Sequence, residues 1–279
     1  MASAAFVSLI LVFCVLFQST ESLAKSLIII DVRERPSRSR VFHATELLGP
    51  KYKKSVVQRT TEMVSNVYPF MQVFIERALP KSYKSQSDLI ATTLLRESEK
   101  YNLDPIFVMA LISQESSFNP EIRGPKDELG LMQLRPDTAK MLAKKFKISY
   151  DDRFPASERY LRDPITSIKL GTANLAYLRD KFDSRSAHYI GAYNLGENKV
   201  RQLLSQKVTP YIYPGKVMAR YEDYYKQIAR IARRDHISKT QGPAVLVSFK
   251  PGSTPITRAN YDTTYNSNIN NIGALSAWE

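Results

Sequence analysis

Apolar residues along this 279-residue chain change their spacing several times, and each change marks a boundary. An apolar run from Ala4 to Phe17, interrupted only by Ser8, comes first. From residue 25 to about 60 apolar positions thin out and basic residues crowd in "RERPSRSR" and "KYKK" with little periodicity, which predicts a loosely ordered basic arm. From about Thr61 to Leu79, Met63, Val64, Val67, Phe70, Met71, Phe74 and Ile75 recur at helical spacing, in a helix strained by Pro69. From Gln86 to about Arg234 helix follows helix, punctuated by proline and glycine. Asp104-Pro105 is a start signal, with a capping carboxylate and a first-turn proline, and Asn119-Pro120 is a stop. Asp163-Pro164 repeats the start for a long helix, "PITSIKLGTANLAYLRDKF". Shorter helices are expected from Ala187 to Asn194 and Lys199 to Leu204, and a last one from about Gly215 to Arg234. After His236 the chain turns to Ser, Thr, Asn, Gly and Pro, with one strand-like run from Ala244 to Phe249, and a poorly ordered or wrapping tail is expected. There are no internal repeats. The pattern divides the chain into 1–24, 25–84, 85–235 and 236–279.

The opening run changes the picture first. It gives way to polar residues and then to Ser22-Leu23-Ala24, a small-residue cleavage site, so residues 1–24 read as a signal peptide. The competing reading is an uncleaved anchor, but the run is short of the roughly 20 residues a bilayer span needs. Export to the periplasm or cell envelope is the expectation. Cys14 is the only cysteine, so cleavage would leave a chain without disulfides, thiolate metal sites or a cysteine nucleophile. His43, His188 and His236 lie far apart and lack helical zinc spacing, so no metal and no cofactor is expected. The net charge is +13, and loss of Glu21 with the signal raises it to +14. Such a chain is drawn to polyanions, here cell-wall polymers or, through the basic arm, an anionic envelope surface. Nucleic acid fits poorly, because the basic residues are not interleaved with stacking aromatics or set on a reading helix.

Within the helical region, "IFVMALISQESSFNP" holds an incongruity. Val108, Leu111, Ile112 and Glu115 fall on one helical stripe, so a carboxylate sits where apolar residues are expected. A carboxyl on such a stripe loses hydration when ionised, which raises its pKa and suits it to donate a proton near neutrality. Two further stretches carry candidate chemistry. In "GLMQL", Gly130 lets the backbone approach a ligand, two apolar side chains can face sugar rings, and Gln133 can donate and accept hydrogen bonds. "GAYNLG" offers the Tyr193 phenol and the Asn194 amide. Each stretch alone is also ordinary helix punctuation.

Taken together and in order, these blocks resemble the catalytic domain of the soluble lytic transglycosylase family, within the lysozyme-like superfamily. The family's E-S-x-F-N-P block is similar to Glu115–Pro120, its G-L-M-Q-x-x-P-x-T-A block to Gly130–Ala139, and its A-Y-N-x-G block to Ala192–Gly196. Asp163, Pro164, Ile168, Gly171 and Leu178 match a further helix, and "YPGKVMARY", Tyr213 to Tyr221, resembles the closing segment. The likeness runs from about Gln86 to Tyr225, roughly half the chain. It implies an all-α fold, or α with a minor β element: a lysozyme-like domain with extensions at both ends. The implied partner is the N-acetylglucosamine and N-acetylmuramic acid strand of peptidoglycan, cleaved without water. Glu115 is the implied acid and base, with Ser116, Gly130, Met132, Gln133, Tyr193, Asn194 and Tyr213 as cleft residues.

Two positions depart from the pattern. Gly124 stands where many members have serine, which removes a possible hydrogen bond to substrate, although Asp127 and Leu129 resemble the membrane-bound transglycosylase C subgroup. Leu195 replaces a small residue and is expected to narrow the cleft. Three readings stay open at this point: a transglycosylase, a goose-type muramidase that uses water and a second carboxylate such as Asp127, Glu128 or Glu197, and a wall-binding scaffold of low turnover. Chitin shares the acetamido and C6 hydroxyl groups.

Overall fold

A computed structural model of the chain describes residues 38–241. The apolar run with Cys14, the expected cleavage site, arm residues 25–37 and the strand-like run 244–249 lie outside the described residues. Among the described residues the architecture is all-α, with isolated bridges of Leu129 to Arg123 and Leu134 as its β pairing.

Eleven α-helices follow in chain order. They are α1 (Arg38–Leu48), α2 (Val56–Met63), α3 (Tyr68–Ala78), α4 (Ser87–Lys100), α5 (Pro105–Glu115), α6 (Pro136–Phe146), α7 (Ala156–Arg162), α8 (Pro164–Lys181), α9 (Ser186–Leu195), α10 (Glu197–Ser205) and α11 (Ile212–Gln241). Short 3-10 helices, Gly49–Tyr52 and Lys81–Gln86, join α1 to α2 and α3 to α4.

The centre of the molecule is α5. Asp104 caps it, accepting the Ile106 N–H at 2.9 Å, and Pro105 sits in the first turn, where its missing N–H costs nothing. Every residue from Pro105 to Ser113 is buried. A helix apolar on all sides must be surrounded, and α11, α4 and their neighbours do so. The expected single stripe is therefore corrected: Glu115 is not a charge on one face of an amphipathic helix but the point at which a sealed helix leaves the core.

The expected loose arm is also corrected from residue 38 onward, since α1, the 3-10 turn and α2 form regular structure there. The physical reason is the polar content of their inner faces. Arg40, His43, Thr60 and Thr61 are buried beside Ala44, Leu47 and Val57, so no clean apolar period shows. The two terminal nitrogens of Arg40 donate to the carbonyls of Thr61, Val64 and Ser65, binding α1 to the end of α2. Pro69 does not strain a helix, because the chain breaks at Val64–Val67 and Pro69 lies in the first turn of α3. At the other end α11 continues beyond Arg234 to Gln241.

Two apolar clusters meet near the C-terminal end of α5. The larger surrounds that helix; the smaller holds Leu129, Leu134, Ala139, Leu142, Leu161 and Leu170 among α6, α7 and α8. Tyr177 and Tyr193 pack against both.

Candidate active site

The last turn of α5 ends abruptly. Ser116 caps it and the next two residues, Ser117 and Phe118, both take positive φ (50° and 61°). A left-handed pair without glycine is uncommon, and burial of the Phe118 ring holds it in place. Glu115 is thereby left half-buried at a helix terminus. The Tyr213 hydroxyl, from the first turn of α11, donates a short hydrogen bond to Glu115 Oε1. Tyr193, from α9, donates its hydroxyl to the Met132 carbonyl at 2.8 Å. Burial and then the Glu115 charge push both phenols well above their usual pKa, so both stay protonated and able to donate.

The loop from Gly124 to Leu134 forms the facing wall. Ser116 is buried and donates its hydroxyl to the Leu131 carbonyl at 2.8 Å, so it braces the loop from beneath. Gly130 has φ +75°, and a Cβ there would lie 1.8 Å from the Leu161 carbonyl oxygen, so the chain passes close against α7 at this point. The Leu131 and Met132 side chains are fully buried, and Met132 packs against Gly171, whose added Cβ would come within 2.2 Å of its sulfur. The backbone of Met132 is fixed between Tyr193 on its carbonyl and Ser167 Oγ on its N–H at 3.1 Å.

Gln133 remains available in a defined way. Its amide nitrogen donates to the carbonyls of Gly130 and Ile122 at 2.9 and 3.1 Å, so its Oε1 is left as an acceptor. That oxygen lies 2.8 Å from where a Gly124 Cβ would stand, with Glu128 Oε2 at 2.5 Å. The space beside Gly124 is thus already filled by two polar side-chain ends. Asn194 and Leu195 are exposed at the end of α9, and Glu197 is paired with Arg201 and the Tyr177 hydroxyl.

Several residues that hold the site are ones to which the sequence assigned no role. Ser167, Arg220 and Gln114 are among them; only the Asp104-Pro105 signal hinted at the polar group that anchors the far end of α5. Among the described residues no three His, Cys, Asp or Glu side chains converge as a metal-ligand set.

With this geometry in view, comparison with known proteins gives a consistent result. Residues 93–212 match the family model described as the transglycosylase SLT domain. The chain is 33% identical over 130 residues to the soluble lytic murein transglycosylase of Salmonella typhimurium, covering 47% of this chain and 18% of that one. It is 37% identical over 117 residues to membrane-bound lytic murein transglycosylase C of Edwardsiella ictaluri, covering 39% and 32%. The match therefore spans less than a third of either relative. Among solved structures, the 70 kDa soluble lytic transglycosylase of Escherichia coli overlays 72% of this chain and 38% of its own at a TM-score of 0.45 and 21% identity.

Proposed function

We propose that the protein, whose residues 93–212 match the transglycosylase SLT domain, cleaves the β-1,4 bond between N-acetylmuramic acid and N-acetylglucosamine in peptidoglycan without water. The observation that carries the reading is the carboxyl of Glu115, held by the Tyr213 hydroxyl at the mouth of a fully buried helix.

In the first half of the reaction the protonated Glu115 gives its proton to the leaving glycosidic oxygen as the C1–O bond breaks. In the second half the carboxylate takes the proton of the muramoyl C6 hydroxyl, whose oxygen bonds to C1 and closes a 1,6-anhydro ring. One carboxyl serves both halves because the nucleophile belongs to the substrate. The Tyr213 hydroxyl steadies the carboxylate between the two transfers and holds its rotamer, so the acid is already oriented when substrate arrives. Gln133 Oε1 is suited to accept an acetamido N–H, and the exposed Asn194 amide to meet sugar hydroxyls. Ser116, Gly130 and Met132 serve by shaping the wall behind them. The envelope is the expected place of action, and the basic surface is expected to favour an anionic wall.

Mass spectrometry of fragments released from purified peptidoglycan, run beside Glu115→Gln, tests this. Ends in 1,6-anhydromuramic acid that vanish with the variant support the reading. Reducing ends would replace it with a hydrolase.

A further inference from the structure

The cluster immediately behind Glu115 has no part in the reaction as derived, yet it contains a buried cation. Arg220 of α11 is only 6% exposed. Its Nε donates to Gln114 Oε1 at 3.0 Å, and Nη1 donates to Ser113 Oγ at 3.3 Å. The Ser113 hydroxyl is also bonded to the hydroxyl of Tyr224, one turn further along α11. Taking a guanidinium out of water carries a desolvation cost that an apolar side chain filling the same space would not. Two of its donors are directed at the pair of residues directly before Glu115.

We propose that Arg220 is a positioning residue for Glu115, an inference that rests on the reading of Glu115 as the acid and base. Tyr213 and Arg220 are seven residues apart, two turns, so they share one face of α11. From that face the helix holds Glu115 twice: Tyr213 grips the carboxyl, and Arg220 grips the turn from which the side chain springs. The hold matters because α5 cannot continue past this turn, the chain reversing at Ser117 and Phe118. A planar fork bonded to two consecutive side chains fixes the rotation of that turn as a single point charge would not, and a cation there also suits the negative end of the helix dipole.

The test uses Arg220→Met, Gln114→Met and the double variant on soluble glycan strands, well below each variant's unfolding temperature. Arg220→Met is expected to lower kcat about 10- to 100-fold with KM within about twofold, the signature of a misplaced acid in an intact cleft. If the arginine acts through Gln114, the double variant is no worse than Arg220→Met alone. Unchanged kcat, additive losses, or a loss that merely follows the folded fraction would overturn the proposal. The Glu115 side-chain carboxyl signal in 13C NMR reads the same positioning without turnover. It is expected to shift in Arg220→Met, and an unmoved signal counts against the proposal even if the wild-type chain releases no glycan. That absence of release would instead sink the assigned reaction.

Discussion

At both ends of α5 a carboxyl meets tyrosine hydroxyls from α11, and the surroundings are opposite. At the N-terminal end Asp104 is fully buried and accepts the hydroxyls of Tyr221 at 2.7 Å and Tyr225 at 2.8 Å as well as its own helix N–H. Its backbone N–H goes to His43 Nδ1 at 2.9 Å, which leaves the proton on Nε2, facing the Tyr189 hydroxyl at 3.0 Å. Burial pushes this carboxyl up, against the charge of Arg40 and the two phenol donors. At the C-terminal end Glu115 has the same kind of partner but only half the burial. A carboxyl can serve as a reagent when substrate can reach it, and it serves as a rivet when burial and protein donors enclose it. Tyrosine contacts alone do not distinguish the two; access does.

Four measurements bear on that contrast. Glu115→Gln should lower turnover by about 10²- to 10⁴-fold, the usual contribution of a general acid, while the unfolding temperature stays essentially unchanged. Asp104→Ala should do the reverse: a loss of about 3 kcal/mol in urea unfolding, from stranding two buried phenols and a helix cap, with normal turnover per folded molecule. Equal loss of activity in both variants would erase the distinction. Tyr213→Phe removes one donor to the Glu115 carboxyl and should cost about tenfold in kcat, roughly 1.4 kcal/mol, with little change in stability.

The smallest expected effect is a pH dependence at the sealed end. Burial, and then the Arg179 charge, hold His43 well below its usual pKa of 6.5, so it is neutral in the folded chain. The unfolded chain binds a proton on this residue below about 6.5 and the folded chain does not. Its contribution to stability is therefore complete above that pH and lost as pH falls below it, at up to about 1.4 kcal/mol per pH unit. Urea midpoints at pH 7.5 and 5.5 should show a larger acid loss for the wild-type chain than for His43→Asn, whose amide oxygen can accept the same Asp104 N–H. Identical acid losses would exclude His43 as the source.

Much of the region around Glu115 was legible in the sequence because short-range rules govern it. The Asp-Pro starts of α5 and α8, and the tyrosine and glycine blocks, are local signals that fold as they read. What was not legible is packing between residues distant in sequence, such as Gly130 against Leu161 and Met132 against Gly171. Residues 38–60 read as a loose arm because their core-facing positions include an arginine and a histidine, whose partners lie beyond any window of periodicity.

The bond between His43 and Asp104 bears on how this domain can be moved between proteins. The stretch recognised by similarity, residues 93–212, begins after His43 and ends before Tyr221 and Tyr225. Cutting at those limits would remove the partners of Asp104 on both sides and open the start of α5 to water. The unit that can be grafted is longer than the unit that is recognised, and a transplant that respects the physical boundary must carry α1 at one end and α11 at the other.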